Sequence, residues 1–320
     1  MTKGALALLI NSTSQNWLPC RWKGRFEAAC SDRPVVLPDE GLDPAEVQYA
    51  AVWKPLPGAL SAFKNLRAIF SLAAGVDALM ADRSLPDVPL VRAVIPDLTA
   101  RMTEYVTLHV LMHHRQEIYL RQSQREKAWQ PKYQWPASAV TVGIMGLGTL
   151  GADAANILLR LGFRVIGWSR SPRSITGIET FHGTAQMGAF LRRTDILVCL
   201  LPLTTETQGI LNRDVLASLK RNGPLGAPVL INAGRGGLQN EADILSCLED
   251  GTLGAASLDV FVEEPLPSDS RFWSHPKVML TPHNAADGDA DEISRYVATQ
   301  ITRLESGGAL ENVVDRVRGY

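Results

Sequence analysis

Three short stretches carry side chains suited to acid–base and anion-binding chemistry: Ile231-Asn232-Ala233-Gly234-Arg235-Gly236, Leu258-Asp259-Val260-Phe261-Val262-Glu263-Glu264-Pro265 and Leu280-Thr281-Pro282-His283-Asn284-Ala285-Ala286. An arginine offers two donors in one plane to a carboxylate, and a histidine moves protons near neutral pH. Singly, each is ambiguous: Arg235 reads equally as a surface arginine, Glu264 as a solvated acid and His283 as an ordinary loop histidine. Each stretch follows an apolar strand candidate, however, and in one shared sheet their ends converge on a single cleft.

A fourth stretch says what else that cleft holds. In Val140-Thr141-Val142-Gly143-Ile144-Met145-Gly146-Leu147-Gly148-Thr149-Leu150-Gly151 an apolar run reads as a buried strand. The glycines then open a helix with apolar positions Leu150, Ala154, Ile157, Leu158 and Leu161. Strand, turn and helix in this order form a cradle for a dinucleotide pyrophosphate: Gly146 permits the turn, Gly148 lets amides approach phosphate, and Gly151 lets helix and strand pack. An ordinary glycine-rich turn is the competing reading. About twenty residues further on, where an NAD site places an acid, the chain has Trp168-Ser169-Arg170-Ser171-Pro172-Arg173. The acid is missing and two guanidinium groups are present, so Ser169, Arg170 and Arg173 favour a 2′-phosphate and hence NADP(H), with NAD(H) a lesser possibility. With a nicotinamide beside them, the three loops make a hydride-transfer site.

The elements that must position these residues follow from length and pattern. At 320 residues the chain is long for one core, so two domains are expected. Strand candidates at Ala5 to Ile10, Val35 to Leu37, Ala50 to Trp53, Ala68 to Leu72 and Leu90 to Ala93 suggest a first parallel α/β unit. Six more, at Val140 to Ile144, Arg164 to Trp168, Asp195 to Leu201, Val229 to Asn232, Ala255 to Val260 and Val278 to Thr281, fit a doubly wound dinucleotide-binding sheet. Between them a long helical pattern starts at Pro96 and Asp97, carries Met102, Val106 and Val110 on one face, and runs to about Lys127. It reads as the crossing between domains, with the boundary near residue 98. In the first unit, Ser71-Leu72-Ala73-Ala74-Gly75-Val76-Asp77 can turn backbone amides toward an anion, a plain turn being the alternative, and Trp53 is either a cleft wall or core.

Composition narrows the function classes. With 32 basic and 33 acidic residues the formal charge is -1, which argues against nucleic acid or an anionic membrane as partner and for small-molecule chemistry. The Ala5 to Ile10 run stops at Asn11-Ser12-Thr13-Ser14 and reads as a first strand rather than a signal peptide. Cys20, Cys30, Cys199 and Cys247 lack metal spacing and fit reduced thiols in a cytoplasmic protein. His109, His113 and His114 put two imidazoles on one helical face, but no nearby carboxylate or cysteine completes a metal site, so a packed or solvated helix is expected and no metal.

These motifs, with Ala74-Gly75-Val76-Asp77, Leu201-Pro202-Leu203-Thr204, Glu264-Pro265-Leu266-Pro267 and the terminal Asp315-Arg316-Val317-Arg318-Gly319-Tyr320, make the chain resemble the D-2-hydroxyacid dehydrogenases, most closely the glyoxylate/hydroxypyruvate reductase A group. Asn284, where many relatives are apolar, departs from the pattern. The resemblance implies a flavodoxin-like substrate-binding domain at 1–98 and 289–320, the last helix returning to it, and a Rossmann dinucleotide-binding domain at 99–288. It implies NADPH-dependent reduction of small 2-ketoacids, glyoxylate to glycolate and hydroxypyruvate to D-glycerate. His283 would be the proton donor, Glu264 would hold its ring and favour the cationic form, and Arg235 would bind the substrate carboxylate. Trp53, Ala74, Gly75 and Val76 would complete the substrate site. Gly146, Gly148, Thr149, Leu150, Gly151, Ser169, Arg170, Arg173, Leu201, Pro202, Thr207, Ala233, Asp259 and Ala285 would contact the cofactor, Asp259 at the nicotinamide carboxamide. The same likeness implies a homodimer.

Two enzyme alternatives and one non-enzymatic one stand beside this reading. A D-lactate type would call for NAD and an acid after the second strand, and a 3-phosphoglycerate type is disfavoured because no regulatory domain follows. A dinucleotide-sensing corepressor is the third; Arg235, Glu264 and His283 together favour catalysis over it.

Overall fold

The computed structural model describes residues 3–12, 15–41 and 43–320; Thr13 and Ser14, part of the expected stop after the first strand, lie outside them. The chain divides into two compact units, Met1–Leu98 with Gly288–Tyr320, and Thr99–Asp287.

The first unit contains β1 (Ala5–Ile10), α1 (Pro19–Ala29), β2 (Val35–Val36), β3 (Val47–Trp53), β4 (Ala68–Ser71), α2 (Asp77–Met80) and β5 (Leu90–Arg92). Its sheet is parallel in the order β2-β1-β3-β4-β5, the flavodoxin-like arrangement. Continuous apolar strands such as Ala5–Leu9 are buried on both faces, as a covered parallel sheet requires.

The unit boundary falls inside α3 (Pro96–His114), which is followed by α4 (Glu117–Arg125). One helix to about Lys127 was expected; instead the chain breaks at Gln116, whose backbone is left-handed (φ 58°) and whose side-chain amide donates to the Tyr133 carbonyl at 2.7 Å. Nothing in the side-chain pattern marks such a break, because glutamine is a good helix former.

The second unit continues with β6 (Thr141–Met145), α5 (Thr149–Arg160), β7 (Arg164–Ser169), β8 (Glu179–His182), α6 (Gly183–Leu191), β9 (Ile196–Cys199), α7 (Arg213–Ala217), β10 (Val229–Asn232), α8 (Glu241–Glu249), β11 (Ala255–Leu258) and β12 (Val278–Leu280). All seven strands are parallel, in the order β12-β11-β10-β9-β6-β7-β8, the dinucleotide-binding topology. Six strands were expected. The seventh, β8, is a half-exposed edge strand of sequence Glu-Thr-Phe-His, too polar to show as an apolar run. On one face of the sheet Val142, Ile144, Ile196, Val198 and Ile231 pack with Met102, Val106 and Val110 of α3 and with Ala154 and Leu158 of α5. The last helix, α9 (Ala290–Glu305), lies in the first unit, where Glu305 takes both guanidinium nitrogens of the buried Arg33 at 2.8 and 2.9 Å.

The histidines of α3 are packed rather than solvated. His109 Nδ1 and His113 Nε2 each lie 2.8 Å from the Ser257 hydroxyl of β11. With both rings neutral, Ser257 donates to one and accepts from the other. Burial holds His109 down to about 4 and His113 to about 3. The unfolded chain takes up these protons near pH 6.5 and the folded chain does not, so their stability contribution is complete above pH 6.5 and falls as pH drops toward 4 and 3. Urea unfolding free energy should therefore decline between pH 6.5 and 5, by up to about 1.4 kcal/mol per pH unit for each residue; a flat profile across that window contradicts this packing. Among the described residues no cluster of His, Cys, Asp or Glu is arranged to hold a metal, and no helix is long and apolar enough to cross a membrane.

Candidate active site

The turn after β6 forces glycine at two places. Gly146 has φ 105°, and a Cβ on it would lie 2.8 Å from the Leu200 carbonyl oxygen. A Cβ on Gly151 would lie 1.9 Å from the carbonyl oxygen of Gly146, so the first turn of α5 closes on the strand end only without a side chain there. Gly148, the residue preceding α5, is different: a Cβ there meets no protein atom within 4 Å. Glycine here serves no internal contact, which suits the approach of a phosphate to the positive end of the helix.

At the end of β7, Ser169 is buried and its hydroxyl donates to the Ser171 carbonyl at 2.8 Å, shaping the turn. Arg170 and Arg173 are exposed, and Arg170 reaches Glu206 at 3.3 Å. Both partners of that pair face solvent, so it is weak, and a phosphate dianion competes with it readily. Leu201 and Ala233 are buried at the neighbouring strand ends. The Thr207 hydroxyl donates to the Pro202 carbonyl at 2.7 Å and accepts the Thr204 amide at 2.8 Å, which folds the Pro202–Thr207 loop.

The three chemistry-bearing loops leave adjacent strands. Arg235 follows β10, where the fully buried Asn232 accepts the Gly234 amide at 3.1 Å and donates to the Arg235 carbonyl at 3.2 Å. The guanidinium itself donates to the Gly234 carbonyl at 2.8 Å. Asn232 also donates to Gln239, whose amide reaches the Val260 carbonyl at 2.9 Å, joining this loop to the one after β11. There Glu264 accepts the Phe261 amide at 3.1 Å through Oε1 and meets His283 Nδ1 at 2.7 Å through Oε2. His283, on the loop after β12, is a non-glycine residue at φ 51°.

Asp259 holds that loop. Its carboxylate accepts the Thr281 hydroxyl at 2.7 Å, the Asn284 amide at 2.9 Å and the Ala285 amide at 3.2 and 3.1 Å, while its main-chain carbonyl accepts the His283 amide at 2.7 Å. Burial pushes this carboxyl above the usual range, and the Thr281 and backbone hydrogen bonds pull it back. Asn284 enters through its backbone amide, which any side chain would supply.

In the first unit, Trp53 ends β3 half-buried, stacked on Trp17 with ring centroids 3.8 Å apart and planes 9° from parallel. The amides of Ala74, Gly75 and Val76 have no backbone acceptor among the described residues. The Ser71 hydroxyl ties this turn to β4 through the Ala73 carbonyl at 3.1 Å. The sequence assigns no role to Asn232 or Thr281 within their motifs and does not single out Gln239 or Tyr105; a polar side chain at the end of an apolar strand is the available signal for Asn232.

A Gly-rich βα turn, cations at the second strand end and an Arg, Glu and His on three strand ends of a parallel sheet define a dinucleotide-dependent dehydrogenase fold. The family model for D-isomer specific 2-hydroxyacid dehydrogenase, NAD binding domain, matches residues 107–285, and the chain belongs to the D-isomer specific 2-hydroxyacid dehydrogenase family. It is 39% identical over 284 residues to glyoxylate/hydroxypyruvate reductase A of Yersinia enterocolitica, covering 87% of this chain and 89% of that relative. The structure of an NADPH-dependent glyoxylate/hydroxypyruvate reductase from Sinorhizobium meliloti, in complex with NADP and sulfate, matches with a TM-score of 0.94 at 48% identity, over 99% of this chain and 100% of that one. A probable 2-hydroxyacid dehydrogenase from Rhizobium etli CFN 42, in complex with NADP, HEPES and L(+)-tartaric acid, matches with a TM-score of 0.92 at 43% identity, over 99% of each chain.

Proposed function

We propose that this chain is an NADPH-dependent reductase of small 2-ketoacids, converting glyoxylate to glycolate and hydroxypyruvate to D-glycerate. The observation that carries the reading is the 2.7 Å contact between His283 Nδ1 and Glu264 Oε2. With Nδ1 engaged, Nε2 is the ring nitrogen that donates a proton to the C2 oxygen of the substrate. Glu264, itself fixed by the Phe261 amide, keeps the ring in that orientation. Arg235 takes the substrate carboxylate and polarises the C2 carbonyl. In the first unit the amides of Ala74, Gly75 and Val76 suit a carboxylate, and Trp53 is braced by Trp17.

Gly146, Gly148 and Gly151 with the start of α5, at Thr149 and Leu150, would hold the pyrophosphate, and Arg170 and Arg173 the 2′-phosphate. Leu201, Pro202, Thr207, Ala233, Asp259 and Ala285 would line the nicotinamide side. When bound, the dinucleotide supplies the hydride that C2 accepts. The reading includes a cytoplasmic homodimer with no nucleic-acid partner: the four cysteines are free, and Leu108, Leu120 and Trp129 expose apolar surface suited to a second copy. Initial rates with NADPH and NADH over a panel of 2-ketoacids test it. Turnover should favour NADPH with glyoxylate and hydroxypyruvate; no turnover with any small 2-ketoacid overturns the reading.

A further inference from the structure

Thr281 Oγ1 lies 2.7 Å from Asp259 Oδ1 and 2.9 Å from the Tyr105 hydroxyl. A threonine hydroxyl has one hydrogen and an ionised carboxylate only accepts. Thr281 therefore donates to Asp259, and Tyr105 must donate to Thr281. Each bond in such a chain polarises the next. Tyr105 is buried on α3, with its ring 4.1 Å from that of His109. At the other end of the chain, Asp259 takes the amides of Asn284 and Ala285 and, through its main-chain oxygen, that of His283. A left-handed non-glycine residue such as His283 persists only where its surroundings over-determine it.

We infer that the Tyr105 and Thr281 hydroxyls are positioning groups for the reaction, setting the His283 loop through Asp259 from a helix that carries none of the reacting groups. This rests on His283 being the proton donor. The relay gives the buried Tyr105 hydroxyl a task that a phenylalanine could not perform.

The test is a set of variants of the full-length enzyme. Tyr105→Phe keeps the ring and its tilted contact with His109 and removes one hydroxyl. It should lower kcat roughly tenfold, as a small misplacement of a reacting group does, with KM for the 2-ketoacid and NADPH affinity little changed. Thr281→Val should do the same or more, Thr281→Ser should restore the rate, and the double variant Tyr105→Phe with Thr281→Val should be no worse than Thr281→Val alone. The acid limb of kcat/KM should move to higher pH in Thr281→Val, because the Asp259 carboxyl loses a hydrogen bond that lowers its pKa. The titratable groups facing Asp259 are Tyr105 from α3 and His283 from the loop, with Glu264 behind His283. His283→Ala is measured alongside. If it retains wild-type turnover, the proton-donor reading has failed. If His283→Ala is inactive while Tyr105→Phe and Thr281→Val keep wild-type kcat and pH profile, with or without a lower melting temperature, the relay is overturned.

Discussion

Replacing His283 with alanine is expected to lower kcat by about 10²–10⁴-fold, the range lost with a positioned general acid, while NADPH binds with unchanged affinity. The imidazole is over a third exposed, with 37% of its side-chain surface accessible, so the change leaves no buried cavity and the loss is chemical. Its loop is held by backbone amides on Asp259, which alanine retains. Steady-state turnover and fluorescence titration with NADPH separate the two effects; unchanged turnover removes His283 from the mechanism. Glu264→Gln should fall between wild type and His283→Ala, because the amide keeps an oxygen for the ring but not the charge.

Arg235→Ala should be nearly as damaging for a different reason. Given the role proposed for Arg235, the variant would lose both the carboxylate clamp and a donor directed at the carbonyl as charge develops on it, so KM should rise and kcat fall together, with kcat reduced by roughly 10²–10³-fold. Arg235→Lys should not restore the rate, since a single ammonium cannot reproduce the planar pair of donors. Because Asn232 anchors the loop through the Gly234 amide and the Arg235 carbonyl, neither change disturbs the backbone. A variant with KM alone altered would mean that Arg235 binds the ground state and the transition state equally well.

The fold was legible where burial is complete. Val229–Asn232 and Ala5–Ile10 are strands at the limits their apolar runs suggest, because a covered parallel sheet leaves no alternation to misread. The edge strand β8 and the break at Gln116 were not legible: one is stabilised by a single neighbour and the other by a side-chain bond to residue 133, and neither leaves a local pattern. The glycine turn could be read down to individual residues because its constraints are steric. The acidic partner of His283 was a different matter. Nineteen positions separate Glu264 from His283, and only family likeness singled out that pair; the sheet, by placing the ends of β11 and β12 side by side, brings it to 2.7 Å. Asp259 also gained a task that residue type did not suggest, since most of its hydrogen-bonding capacity goes to the loop carrying His283.

The central claim is hydride transfer to C2 of a 2-ketoacid, and isotope transfer tests it most directly. NADPH deuterated at nicotinamide C4 on the transferred face is mixed with enzyme and hydroxypyruvate, and the product is analysed for label and configuration. The account predicts D-glycerate with deuterium at C2 and a rate lowered relative to unlabelled NADPH. Absence of deuterium at C2, or no oxidation of NADPH with either hydroxypyruvate or glyoxylate, would contradict it.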